Sequence, residues 1–129
     1  MLKNALLVTA SLLIGAGGVQ LLHAQSKAPA YSIALIDIKD EAGYKAAVAD
    51  VRKRIADHGG KFIITAGAAG GMGEMTSPTG DKVPSRLVVS EYANMDAANK
   101  WWKEVGEQDI KTLGQHATLH LYFVEGVTK

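Results

Sequence analysis

Residues 31–66 read YSIALIDIKDEAGYKAAVADVRKRIADHGGKFIITA, and their pattern decides the fold. Tyr31–Ile38 (YSIALIDI) is dense in β-branched and apolar residues, the composition of a strand largely buried on both faces. Asp40 and Glu41 then offer an oxygen acceptor for free amides and negative charge at the positive end of a helix dipole. Tyr44, Val48, Val51 and Ile55 recur at helical spacing and draw a single apolar stripe, with Lys45, Asp50, Arg52 and Lys53 lying off it. Gly59 and Gly60 permit the left-handed exit that ends such a helix. Lys61–Ala66 (KFIITA) returns to strand composition.

Beyond Ala66 the periodicity stops. Residues 67–84 hold five glycines together with Pro78 and Pro84, which predicts a loop. It exceeds the usual length of about 2–6 residues. Ser85–Tyr92 (SRLVVSEY) reads as a third strand. Asn94 or Asp96 caps a second helix that carries Ala98, Trp101, Trp102 and Val105, with Gly106 bending it and Gly114 marking its end. In His116–Glu125 (HATLHLYFVE), Leu119, Leu121 and Phe123 share one face and Thr118, His120 and Tyr122 the other. The order β-α-β-β-α-β predicts an α+β, ferredoxin-like sandwich: a four-stranded antiparallel sheet with two helices on one face. Because Tyr31–Ile38 supplies apolar residues to both faces, the unroofed side also needs cover. A second copy related by two-fold symmetry provides it, so the expected state is a homodimer.

Working outward to the N-terminus, residues 1–26 read MLKNALLVTASLLIGAGGVQLLHAQS. Lys3 precedes an uncharged run from Ala5 to Val19, and small residues follow at Ala24 and Ser26. This is the pattern of a secretory signal peptide, expected over residues 1–24 with cleavage after Ala24, or alternatively after Ser26. An uncleaved membrane anchor over Leu2–Leu22 is the competing reading, since about 20 apolar residues cross a bilayer. Residues 25–30 then form a linker, and 31–127 the domain. The expected location is periplasmic or secreted, with no membrane attachment after cleavage.

The chain of 129 residues has room for one domain, and 47% hydrophobic with 21% charged residues is ordinary globular composition. Zero cysteines exclude a disulfide framework, a thiolate metal site, a cysteine nucleophile and an acylated lipoprotein cysteine. A formal net charge of +1 argues against nucleic acid as partner. Loss of residues 1–24 removes Lys3 alone and leaves the mature chain formally neutral.

Five pieces together resemble the domain of unknown function family 1330, within the dimeric α/β-barrel superfamily. They are AYSIALIDIKD leading into Tyr44, HGGKF at 58–62, LVVSEY at 87–92, MDAANKWW at 95–102 and FVEGV at 123–127. The resemblance covers Tyr31–Gly126 and implies a dimeric α/β barrel without assigning an activity. Members commonly carry Ser-Pro-Glu-Tyr after the tryptophan helix and an arginine further on, where this chain reads KEVGEQDIKTLGQ. Their Arg-Gly-Gly after the second strand is replaced by Thr65-Ala66-Gly67. Any family ligand site in those segments is therefore lost or rebuilt.

Candidate chemistry is sparse. GAAGGMG at 67–73 lacks the Gly-Lys-Ser/Thr ending and the following helix of a phosphate loop, so it reads as flexible loop or a lid. His116 and His120 are four apart, which along a strand separates them by about 13 Å. With His58 at a helix end, the histidines suit structural roles, and no metal or cofactor is expected. His120 is the candidate acid or base, because imidazole titrates in the physiological range. Thr118 and Tyr122 flank it on a face that would line the space inside a dimer. A hydrogen bond across that interface is the plainer role for the same histidine. Trp101 and Trp102 lie about 100° apart on a helix, so one packs on the sheet and the other reaches a pocket edge or the partner. Arg86 and Lys111 are cations able to steer an anion, although lone surface cations are the usual outcome. The ligand-binding candidates are thus His120, Tyr122, Thr118, Trp101 and Arg86.

The leading functional expectation is an exported, dimeric small-ligand-binding protein. The alternatives are a cofactor-free oxygenase or isomerase using His120, as the superfamily resemblance allows, and a structural dimer without ligand. The leader itself is directly testable: exported protein should begin at Gln25 by intact mass, whereas Met1 retained in a membrane fraction contradicts cleavage.

Overall fold

The computed structural model of the protein describes residues 28–128. β1 (Ala30–Ile38), β2 (Lys61–Ala66), β3 (Arg86–Tyr92) and β4 (Ala117–Glu125) form one antiparallel sheet in the order β2-β3-β1-β4. β1 is therefore central, paired along its length with β4 and over most of it with β3. Helix α1 (Glu41–Asp57) crosses from β1 to β2. A second helical stretch, made of α2 (Met95–Trp101), a π-helical turn (Trp102–Gly106) and α3 (Glu107–Leu113), crosses from β3 to β4. This is the expected ferredoxin-like α+β arrangement, with both helical layers on one face.

Strand alternation sorts the side chains. Even-numbered residues of β1 and β3 and odd-numbered residues of β4 turn to the helices. Ile36, Tyr44, Val51, Leu113 and Ala117 make one buried cluster, and Ala30, Tyr92, Ala98 and Trp101 another. Leu119, Leu121 and Phe123 pack against these clusters, as their spacing predicts. The opposite face is unroofed. There Ile64, Val89, Ile33 and Tyr122 align across the four strands in one apolar row, and Ala66, Leu87, Leu35 and His120 in the next.

Local chemistry sets the helix ends. Asp40 accepts the Gly43 N–H and Asn94 the Ala97 N–H, so Asn94, not Asp96, is the second cap. Gly59 leaves α1 at φ +83°, the left-handed exit. Arg54 grips Asp109 with Nε at 3.0 Å from both carboxylate oxygens and Nη2 at 2.7 Å from Oδ1, tying α1 to α3.

Several sequence boundaries move. Ala28 and Ala30 are buried, and the Gly126 N–H donates to Pro29 O at 2.8 Å. Residues 28–30 thus belong to the domain, not to a linker. The expected signal peptide lies outside the described residues. No helix among those described is long and apolar enough to cross a membrane. His116 falls before β4 and pairs through Nδ1 with Asp40 Oδ2 at 2.9 Å, so it does not share a strand face with His120. β2 carries a register shift between Phe62 and Ile64, which leaves Ile63 unpaired and half exposed.

The second helix is interrupted where Gly106 was expected to bend it. The Glu107 N–H reaches back to Trp102 O, a five-residue step that inserts one extra residue in the turn. Gly106 is needed there for packing, since a Cβ would meet the Trp101 ring at 2.9 Å. Gly106→Ala should therefore destabilise by about 1–3 kcal/mol, the range for overpacking. Helix propensity alone predicts a gain of roughly 1 kcal/mol. Urea denaturation midpoints decide the sign.

Candidate functional site

A cavity of about 50 Å³ lies between the sheet and the helices. Its origin is legible in side-chain size: on the helix-facing side of β1 the sequence places Ser32 and Ala34, and Ser90 sits directly across from Ser32 on β3. Small residues at the middle of the sheet leave space that Tyr44, Val48 and Val51 of α1 do not fill.

Arg86 occupies one wall. It is 8% exposed, so the expectation of a surface cation is corrected: the first residue of β3 has the parity of Val88 and Ser90 and points inward. Its guanidinium carbon stands 5.0 Å from the centre of the Tyr44 ring. Nε has no hydrogen-bond partner, and none of the ion pairs found among the described residues engages Arg86. Trp101 is 2% exposed, and its indole Nε1 is likewise buried without a partner. Its ring packs against Tyr92, Trp102 and Phe123. Trp102 is half-buried and lies at the β4 side with Phe123, so the two tryptophans divide as their angular separation predicts.

At the other end of the cavity stand Arg52, Phe62 and Met72, all at least partly exposed. Arg52 is exposed, off the apolar stripe of α1 as its spacing predicts, and its guanidinium carbon lies 4.9 Å from the centre of the Phe62 ring. Met72 comes from the long loop, whose base is closed by backbone bonds. The Gly73 N–H donates to Thr65 O, and the Ala68 and Ala69 N–H groups donate to Pro84 O and Ser85 O. Gly67 makes this closure possible at φ +142°, with the Ser85–Arg86 backbone where a side chain would be. The loop is a built wall.

Electrostatics in the cavity are one-signed. Arg86 and Arg52 line it, and no carboxylate does. Burial pushes the Tyr44 hydroxyl above its ordinary value, and the positive field of Arg86, a hydrogen bond with that guanidinium and the field of Arg52 pull partly back. Burial alone pushes Tyr92 up strongly. Both phenols are therefore neutral donors near neutral pH.

The remaining sequence candidates lie elsewhere. Thr118, His120 and Tyr122 are exposed on the unroofed face, with His120 beside Leu35 and Tyr122 beside Ile33. The sheet separates them from Arg86 and Trp101, so one chain does not unite the five. His58 bridges Arg54 O at 2.8 Å and Glu104 Oε2 at 3.0 Å, a structural role, and Lys111 pairs with Glu107. Sequence reasoning missed Tyr44, Arg52, Ser32 and Ser90 as cavity residues. For Ser32 and Ser90 the signal was strand parity.

The family model described as a domain of unknown function, DUF1330, matches residues 29–127. The chain belongs to that family. No curated protein matches the sequence. DUF1330 fixes the domain's extent, which begins near the buried Ala28–Ala30 segment. Among solved structures, the chain is similar to a Rhodopseudomonas palustris protein of unknown function at 14% identity and TM-score 0.56, covering 80% of this chain and 85% of that one. It is also similar to SnoaB, a cofactor-independent oxygenase from Streptomyces nogalater, at 10% identity and TM-score 0.53, covering 79% and 96%. At these identities the likeness concerns the fold that this DUF1330 chain shares with them.

Raised tyrosine values translate into alkaline sensitivity. The folded chain holds the Tyr44 and Tyr92 protons more tightly than the unfolded chain, whose tyrosines titrate near pH ~10. The associated stability is present below that pH and is lost as pH rises through it. Tyr92→Phe should flatten the alkaline limb of melting temperature against pH. At neutral pH it should cost little, since Tyr92 leaves its buried hydroxyl unpaired. A limb as steep as wild type contradicts this.

Proposed function

We propose that this chain is an exported small-molecule-binding protein that works as a homodimer, with its ligand held between sheet and helices in each copy. One observation carries the reading: a buried arginine and a buried tryptophan both line the cavity, and the arginine Nε and the indole N–H have no acceptor in the protein. Burying a charge with no counter-ion and an open donor is costly, and the contact with Tyr44 offsets it only in part. A ligand that accepts those donors repays the cost.

Binding is favoured over catalysis by what lines the cavity. It holds no histidine, aspartate or glutamate, and its one phenol stays protonated. SnoaB is a cofactor-independent oxygenase, and the oxygenase or isomerase alternative would have to use His120 on the far face. The homodimer rests on that face, where Ile64, Val89, Ile33 and Tyr122 form an apolar row that a second sheet would cover.

Two measurements test this. Wild-type mature protein should sediment as two copies and Ile33→Asp as one; a folded single copy of wild type at high concentration overturns the dimer. A set of small neutral and acidic compounds should contain members that raise the melting temperature, by on the order of 10 °C for a domain this size at about 100 times Kd. Ser90→Val, which narrows the cavity, should remove the shift while circular dichroism stays unchanged. No shift from any compound, with only water in the cavity of a crystal structure, overturns the binding site.

A further inference from the structure

Resting on the binding reading above, we infer that the ligand is a compact organic carboxylate, its head on Arg86 and its hydrocarbon body between α1 and the sheet. The donor inventory selects the head group. Guanidinium and indole nitrogens only donate, and both Arg86 Nε and Trp101 Nε1 are without acceptors. A ligand group that itself donates leaves them unsatisfied. A carboxylate accepts from the guanidinium and matches its planar fork in two-point contact.

Charge selects in the same direction. Arg86 and Arg52 line the cavity with no carboxylate to neutralise them. The Arg86 guanidinium carbon stands 5.0 Å from the centre of the Tyr44 ring, a contact that offsets only part of the cost of its burial. Arg52 at the mouth, over Phe62, attracts anions toward the entrance that Met72 borders. The body of the ligand meets hydrocarbon, chiefly Val48, Val51, Leu119 and Leu121. Size completes the class. A cavity of about 50 Å³ has room for roughly four waters at ~10–15 Å³ each. That admits a single small ring or a short branched chain and excludes a nucleotide, a polycyclic compound or a peptide.

The test compares acids with neutral isosteres at constant ionic strength by titration calorimetry on the mature protein. Isovalerate against isovaleramide and benzoate against benzamide are the probes, with inorganic phosphate and chloride as controls. The acids should bind at least about tenfold tighter than their amides, since a charged hydrogen-bonded pair exceeds a neutral one. Arg86→Met should erase that preference and leave the unliganded melting temperature equal or higher, as expected when an unpaired buried charge is replaced by hydrocarbon. Arg52→Gln should reduce the salt dependence of association, with a smaller effect on the bound state.

Amides binding as well as acids would overturn the carboxylate and leave the binding site standing, with Arg86 satisfied by water. Phosphate or chloride competing as well as the organic acids would overturn it too, as an unselective anion site. Failure of both acids and amides to bind, in wild type and in Arg86→Met alike, would overturn this inference and remove its support from the binding reading.

Discussion

A strand at the centre of a four-stranded sheet presents two faces, and here helices roof only one. β1 meets that constraint by being apolar on both sides but differently so. Ala30, Ser32, Ala34 and Ile36 face the helices, while Tyr31, Ile33 and Leu35 face away. The helix-facing set is small until Ile36, and the outward set is large throughout. A one-residue slip would exchange the two sets, placing bulk beneath the helices and leaving alanines outside. The register of β1 against β3 and β4 therefore fixes both the cavity and the apolar row at once.

The energetic anomaly of the fold is Arg86. Interiors seldom hold a charge without a partner, because desolvation outweighs what packing returns. The Tyr44 ring recovers a fraction, on the order of 1 kcal/mol for a cation over an aromatic face. By contrast Arg54, only half-buried, holds Asp109 through three hydrogen bonds. The same chain thus pairs one arginine fully, in a helix-to-helix tie, and leaves the more buried one with an open Nε. That contrast is why Arg86 reads as a site and Arg54 as architecture.

Much of this was legible in the sequence. The apolar stripe Tyr44, Val48, Val51, Ile55 announces α1, and the alternation in residues 118–123 announces which face of β4 packs. The DUF1330 resemblance rested on the same segments that build the sheet. What escaped depends on contacts between residues distant in sequence. Arg86 was a candidate cation, but its burial shows only once β3 is paired with β1 and its parity is assigned. Met72 enters the cavity only because Gly67 lets the loop fold back on Ser85 and Arg86. The π turn arises from Gly106 seated against Trp101, a packing relation that propensity does not encode. The five sequence-chosen site residues shared polarity or aromaticity, and the sheet divides them because periodicity, not chemistry, decides which side a side chain takes.

That division has a consequence for the two proposed surfaces. Ser32 and Ile33 are neighbours in β1, one lining the cavity and the other in the outer row, and Ser90 and Val89 repeat the arrangement in β3. Each strand is a thin wall with the proposed ligand site on one side and the proposed partner surface on the other. A carboxylate drawn onto Arg86 would press on β3 from within, while the second copy would hold the same strand flat from without. Because close-packed elements shift together and not piecemeal, an association that stiffens β1 and β3 lowers the ordering cost of filling the cavity. Linkage makes the relation reciprocal, so a ligand that binds the stiffened sheet better also tightens the dimer.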